Sequence, residues 1–288
     1  MRNTAKIYLA SHGAIDFSAR KTWSAIATYV PDSLARQFTT SIIDRVVSIG
    51  ASPFSDFTWI EGAKLFESEG SKMLHATSSS GLGSVKNAAT GAASVLAAIP
   101  SLIREYESIR VFVVISKTNS VLTSFKSVQR ETNELARNAV FRREVCNNLL
   151  ERIQIACDRT LNCGSATVIC ARSNPVLSPE QFAMLTAPDY NRHGVSFDRI
   201  HPEILFIDQK WSPVMQFSAG IACSVHGLLD RRRNFAELVA QWAPSIHEVD
   251  GKRLGYGVVV VPRVSPSRRK RADSLTKSLA PLISSAAD

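Results

Sequence analysis

Apolar residues recur along the chain with two different spacings, and the spacing separates strands from helices. Short runs rich in β-branched and apolar residues, each bounded by polar residues, predict strands or extended segments. These runs lie at residues 6–10, 22–29, 109–116, 166–170, 204–207 and 256–261. A turn at His12-Gly13 follows the first run and predicts an antiparallel hairpin at the start of the chain.

Apolar residues at helical spacing predict helices between these strands. Residues 34–46 place an apolar residue at every fourth position, which is typical of an amphipathic helix. Further helices are predicted at residues 84–106, 131–159, 179–185 and 235–242, the first of them broken or kinked near Pro100. A hairpin followed by alternating helices and strands predicts one α/β domain with a mixed sheet.

The stretch from residue 203 to residue 226 organises the rest of the chain. Its apolar run ends on Asp208, and Pro213 opens a segment that is small or apolar on nearly every face, which predicts a buried helix. Because many α/β enzymes hold a carboxylate at the end of a buried strand, Asp208 is a candidate catalytic residue. Its structural alternatives are a cap on the following helix and an ion pair with Lys210. One carboxylate is too few for a magnesium site, which favours the structural alternatives.

The chain is basic, with 34 Lys and Arg residues against 25 Asp and Glu residues and a formal net charge of +9. This excess favours an acidic partner such as nucleic acid or an anionic surface. Two runs hold much of the excess and are the candidate nucleic-acid contacts, namely Arg231, Arg232, Arg233, Arg268, Arg269, Lys270 and Arg271. The alternative is a solvated arginine turn and a disordered tail.

One dense acidic group lies among aromatic residues and contains Asp56, Glu61, Glu67 and Glu69. Glu67 and Glu69 are two positions apart, so they would share one face of a strand. A metal site in this group is one interpretation, and a solvated acidic loop is the other.

The cysteines and the apolar runs indicate the compartment. The five cysteines form no CxxC pair and lie mostly in apolar surroundings, which favours a reducing compartment over disulfides or a zinc site. No apolar run reaches the length of a membrane span, and the first residues lack the apolar core of a signal peptide. The sequence therefore predicts a soluble cytoplasmic protein without a membrane partner.

Three local motifs occur in a fixed order. They are Tyr8-Leu9-Ala10-Ser11-His12-Gly13, then Met73-Leu74-His75-Ala76-Thr77, then Asp208-Gln209-Lys210-Trp211-Ser212 with Gln216-Phe217-Ser218-Ala219 after it. In this order they resemble motifs of the RNase H-like proteins grouped as the domain of unknown function 3800 family, over about residues 6–229. The resemblance implies an RNase H-like α/β fold with a mixed sheet, an N-terminal β-hairpin and flanking helices.

This fold is expected to occupy residues 1–262 as a single domain. Residues 263–288 are rich in Ser, Pro and basic residues, and they predict a tail with a weak helix at residues 275–283. His75 lies at a position that faces the active site in the resembled family, so it is a second candidate catalytic residue. A core or interface histidine is its structural alternative.

The departures from the family pattern concern its acidic residues. The acids of the first strand fall on Ala10 and Ser11, the acid before the Leu-His pair falls on Met73, and the acid of the last helix falls on Ala219. Folds of this type carry clustered carboxylates, because two hard cations need several oxygen ligands. The resemblance therefore implies a fold that is retained without its metal site and without a metal cofactor.

Three functions follow from these observations. The first is a catalytically degenerate RNase H-like protein that binds nucleic acid. The second is a nuclease that uses Mg or Mn ions held by Asp208 with Glu61, Glu67 and Glu69. The third is a protein–protein module of a defence or mobile-element system.

Overall fold

The computed structural model describes residues 3–17, 21–48, 61–68, 88–118, 124–172, 176–187, 195–261 and 279–284. The strands of this part are β1 (Asn3–His12), β2 (Thr22–Pro31), β3 (Arg110–Lys117), β4 (Cys163–Ala171), β5 (Ile200–Ile207) and β6 (Val258–Val261). The helices are α1 (Asp32–Ser48), α2 (61–68), α3 (Ala88–Arg104), α4 (Lys126–Arg130), α5 (Glu134–Arg159), α6 (Pro179–Thr186), α7 (Pro213–Leu229), α8 (Arg233–Trp242) and α9 (Ala280–Ile283). The predicted mixed α/β architecture, with helices flanking one sheet, is confirmed.

The sheet has the strand order β5-β4-β1-β2-β3-β6. The first two strands form the predicted antiparallel hairpin, and β2 also pairs antiparallel with β3. All other pairs are parallel, so β2 alone runs against the other strands of the sheet. Five strands therefore end, and β2 begins, at one edge of the sheet, which we call the carboxyl edge.

The sheet is covered on both faces. Alternate residues of β1 point to opposite sides, so Ile7 and Leu9 pack in the core under α5 while Tyr8 and Ala10 pack in the core under α7. On the α5 side, Trp23 meets the ring of Phe141 edge-on at 5.5 Å between centroids. Burial on both faces explains why the central strands are continuous apolar runs rather than alternating ones.

Helix α7 lies against the hairpin at the centre of the fold. Ser212 caps its first turn, since its Oγ accepts a hydrogen bond from the N–H of Met215 at 3.3 Å, and Pro213 occupies the first helical position. Ser218 lies within the helix, and its Oγ donates a 2.8 Å hydrogen bond to Oγ1 of Thr28 on β2. Helices α1, α3 and α8 cover the other side of α7 and make it a buried helix, as the sequence predicted.

Two helices differ from the sequence predictions. Helix α3 continues unbroken through Pro100 to Arg104, which excludes the predicted break but not the predicted kink. The predicted helix at residues 131–159 begins three residues later, at Glu134, because the side chain of Asn133 caps α5. The short α4 ends before it, at Arg130. Most of the predicted tail lies outside the described residues, but Leu279 and Leu282 are buried in the core on the α7 side.

A close approach between α7 and α8 yields a stability prediction. A Cβ at Gly227 of α7 would lie 2.4 Å from Cγ of Phe235 on α8. Gly→Ala normally stabilises a helix by about 1 kcal/mol. Here the ring must move, and such overpacking costs about 1–3 kcal/mol. We expect Gly227→Ala to lower the free energy of unfolding by about 1–2 kcal/mol in urea titrations.

The double variant Gly227→Ala/Phe235→Leu provides the control. Because leucine leaves room for the added methyl group, the double variant should lose less stability than the sum of the two single losses. If the stability losses of the two single variants simply added up in the double variant, the clash between the new methyl group and Phe235 would not be the cause of the destabilisation.

Candidate functional site

The centre of the carboxyl edge is apolar. Ala10 of β1 and Ala171 of β4 are buried in one core cluster, and Ile207 of β5 and Ala219 of α7 pack against the same cluster. Ala10 and Ala219 are positions at which the resembled family carries acids. Methyl groups offer no oxygen to a cation. Within the described ranges, no group of three or more His, Cys, Asp or Glu residues is arranged to hold a metal ion.

Asp208 holds a turn at the end of β5. Its Oδ1 accepts a 3.3 Å hydrogen bond from the N–H of Lys210, which caps the short 3₁₀ helix Gln209–Trp211. Its Oδ2 lies 3.8 Å from the Nζ of Lys210. Both side chains are more than a third exposed, so the ion pair itself contributes little to stability. Asp208 therefore caps the 3₁₀ helix and not α7, which is capped by Ser212.

The acidic candidates near residue 67 lie on a helix. Residues 61–68 are helical, so Glu67 does not lie on a strand, which was the condition for it to share a face with Glu69. The Oε2 of Glu67 lies 3.5 Å from an Nη of Arg232, and Asn234 donates a 2.7 Å hydrogen bond to the backbone carbonyl of Glu67. Asp208 forms its ion pair with Lys210, so Glu67 and Asp208 have different basic partners. Asp56 and Glu69 lie outside the described residues.

Two histidines from distant parts of the chain meet at the carboxyl edge. The rings of His12, at the end of β1, and His226, near the end of α7, lie 4.9 Å apart between centroids. The Nε2 of His226 is 3.4 Å from Oδ2 of Asp230, one helical turn further on, and Arg232 reaches the same oxygen at 3.7 Å. We call His12, His226, Asp230 and Arg232 the two-histidine cluster. Sequence reasoning missed this cluster, and the one weak signal for it is the i,i+4 spacing of His226 and Asp230.

The cluster is buried enough to change its protonation. The pKa of His12 is lowered to about 4, mainly by burial and also by the neighbouring His226 and Arg232, while Asp230 acts in the opposite direction. Burial also lowers the pKa of His226. Both imidazoles are therefore neutral at neutral pH. The Nδ1 of His226 is buried and has no hydrogen-bond partner among the described residues.

Gly13 allows the chain to turn beside this cluster. Its φ of +101° lies in the region that favours glycine. A Cβ at this position would lie 2.5 Å from the carbonyl oxygen of Thr22 and 3.1 Å from the His226 ring. Any other residue would therefore displace the imidazole or the start of β2.

Four basic residues lie where neighbouring strands meet the carboxyl edge. Lys210 follows β5, Arg172 follows β4, Lys21 precedes β2 and Lys117 ends β3. The backbone keeps them in strand order, since the N–H of Arg172 donates to the carbonyl of Ile207, and Lys117 pairs with Thr22 in the ladder. Because neighbouring strands are about 4.8 Å apart, four strand steps place these residues along a line of about 19 Å. We call these four residues the basic edge.

The basic edge has few acidic partners. Among the described residues, Lys210 pairs with Asp208, and no carboxylate forms an ion pair with Lys21, Lys117 or Arg172. The sequence did not single out these residues, because they are far apart along the chain and only the topology of the sheet aligns them.

The arginine run after α7 is not a uniform patch. Arg231 is exposed and has a φ of +61°, whereas Arg232 is half-buried in ion pairs with Glu67 and Asp230. The side chain of Arg233 lies outside the description. The same holds for His75 and for the four basic residues of the tail, Arg268, Arg269, Lys270 and Arg271.

Comparisons with family models, with curated proteins and with solved structures give no match to this chain. None of the helices in the described ranges is both long enough and apolar enough to span a bilayer.

The two-histidine cluster predicts how stability depends on pH. The pKa of His12 is about 4 in the folded state against an ordinary value of 6.5 in the unfolded state, so the unfolded state takes up its proton first on acidification. The contribution of His12 is complete above about pH 6.5 and is lost as the pH falls toward 4. Acidification from about pH 7.5 to about pH 5 should therefore lower the free energy of unfolding by about 2 kcal/mol through His12 alone.

Urea titrations of the wild type and of His12→Gln at both pH values measure this contribution. The variant should lose about 2 kcal/mol less than the wild type on acidification. His201→Gln, which replaces an exposed histidine of β5, is the control for loss of an imidazole and should behave as the wild type. An unchanged pH dependence in His12→Gln would contradict the buried neutral state of His12.

Proposed function

We propose that this chain is an RNase H-like protein that binds nucleic acid along the basic edge and does not cleave it. The strand order supports the RNase H-like assignment. The first strand is central, pairs antiparallel with the second on one side and parallel with the fourth on the other, and the fifth lies outside the fourth. This is the arrangement expected of an RNase H-like sheet, and β6 extends it beyond β3.

The basic edge is the observation that carries the proposed ligand. Open α/β sheets bind their ligands outside the carboxyl ends of the strands, which is where these four cations lie. A row of Lys and Arg residues neutralises successive phosphates and releases their counterions, without reading sequence. Arg231, exposed beyond α7, adds a fifth positive charge beside the two-histidine cluster.

The apolar centre of the same edge supports binding without cleavage. Phosphoryl transfer with two metal ions needs several carboxylates converging on one point. Ala10, Ala171 and Ala219 have no oxygen ligand to offer, and Asp208 caps a turn instead.

Fluorescence anisotropy with labelled oligonucleotides over a salt series tests the binding proposal. The triple variant Lys21→Ala/Lys117→Ala/Arg172→Ala should bind about 100-fold more weakly at low salt. The slope of log K against log salt should become shallower by about 2 to 3, since each lost phosphate contact contributes about 0.7 to 0.9.

A second triple variant matches this loss of charge elsewhere on the surface. Arg36→Ala/Arg104→Ala/Lys252→Ala removes three exposed cations on α1, at the end of α3 and in the turn before β6. These positions lie away from the carboxyl ends of the strands, so the affinity should stay within about 3-fold of the wild type. Equal losses in both triple variants would show that net charge alone attracts the nucleic acid, and the proposal would fail.

Incubation with Mg or Mn ions tests the absence of cleavage. Labelled single strands and duplexes should remain intact on denaturing gels, and Asp208→Asn should bind them as tightly as the wild type does. Cleavage that disappears in Asp208→Asn would instead establish the metal-dependent nuclease.

A further inference from the structure

Trp211 is the most unusual side chain of the carboxyl edge. Its indole is 65% exposed, whereas Trp23 and Trp242 are 1% and 0% exposed. Burying a large aromatic side chain is strongly favourable, so an exposed indole beside a row of cations is an informative exception.

The backbone that carries Trp211 is held firmly. The N–H of Trp211 donates to the carbonyl of Asp208 at 3.1 Å, and the N–H of Ser212 donates to the carbonyl of Gln209 at 3.1 Å. Gln216, in the first turns of α7, donates from Nε2 to the carbonyl of Lys210 at 3.1 Å. The buried helix therefore fixes the short turn from which the indole projects, and little backbone entropy remains to be lost on binding.

Lys210 gives the indole an electrostatic partner. Its Nζ lies 5.4 Å from the centroid of the Trp211 ring, within the range of a cation–π contact. The same Lys210 is the first member of the basic edge. An aromatic face and a phosphate-binding cation thus lie side by side at one end of the row.

We propose that Trp211 stacks on an unpaired base, and that the nucleic acid bound along the basic edge is single-stranded. This inference rests on the proposed function. Proteins that bind single strands without sequence preference combine a positive groove with aromatic stacking platforms. In a duplex both faces of an internal base are already stacked, so a projecting indole gains nothing from it. A single strand lays its backbone on the cations and leaves its bases free to stack.

The experiment compares a labelled oligothymidine with a duplex of the same length, for the wild type and two variants of the full chain. Trp211→Leu keeps an apolar side chain without an aromatic face, and Trp211→Phe keeps an aromatic face. Trp211→Leu should weaken binding of the single strand by about 10-fold or more and leave the duplex affinity unchanged. Trp211→Phe should retain most of the single-strand affinity, and the salt slope should be the same in all three proteins.

An exposed apolar residue elsewhere provides the matched control. Leu135 is 80% exposed at the start of α5, and Leu135→Ala should bind both probes as the wild type does. Quenching of indole emission by the single strand is an independent readout, since stacking on Trp211 should quench it in the wild type and only weakly in Trp211→Phe.

Several results would overturn the stacking proposal while leaving the proposed function intact. In one such result, Trp211→Leu weakens the binding of single strand and duplex equally, or changes neither affinity. The triple variant of Lys21, Lys117 and Arg172 would still bind nucleic acid more weakly in that case. Another is that Trp211→Leu changes the sedimentation of the protein but not its affinity for the single strand, which would make Trp211 part of a protein interface. If the wild type binds neither probe, the proposed function and the stacking role both fail.

Discussion

The packing of α7 against the β1–β2 hairpin is the contact on which the rest of the structure depends. Residues such as Met215, Phe217, Ile221 and Val225 have no exposed surface, so the helix must be covered by the sheet on one side and by other helices on the other. This requirement explains the layer formed by α1, α3 and α8. It also fixes both ends of the helix, one against the turn after β5 and the other against the end of β1.

The carboxyl edge combines an apolar centre with a positive border. In a metal-dependent nuclease, clustered carboxylates repel the substrate phosphates and bound cations reverse that repulsion. Here alanines occupy the centre, so this part of the edge adds no negative charge against the attraction that we propose between the basic edge and a phosphate backbone. In the proposed function, the alanines therefore have two effects, since they offer no ligand to a metal ion and they do not repel a phosphate backbone.

The sequence predicted most of the strands because burial on both faces leaves a local signature. The run at residues 109–116 is β3 displaced by one residue, and the segment opened by Pro213 is α7. The start of α5 was predicted three residues too early, because apolar periodicity does not mark where a helix begins, whereas the side chain of Asn133 does so by capping it.

The sites were harder to predict than the elements. The contact between His12 and His226 joins positions more than two hundred residues apart, and no local pattern records it. The arginine run reads as three equivalent charges, yet the positive φ of Arg231 turns the chain so that its neighbour Arg232 points into ion pairs. The direction of a side chain at such a turn depends on the backbone conformation, and the composition of the run does not reveal that conformation.

The pairing of β1 with β4 has a consequence for synthesis of the chain. Ala5 pairs with Ala166, so a ribosome must add about 160 further residues before the partner strand exists. At typical elongation rates this takes roughly 10 to 30 s. During that time the hairpin presents the free backbone of β1, which becomes the middle of the sheet, as an open edge. Until β4 is made, a nascent chain therefore exposes the kind of unpaired strand edge at which aggregation begins.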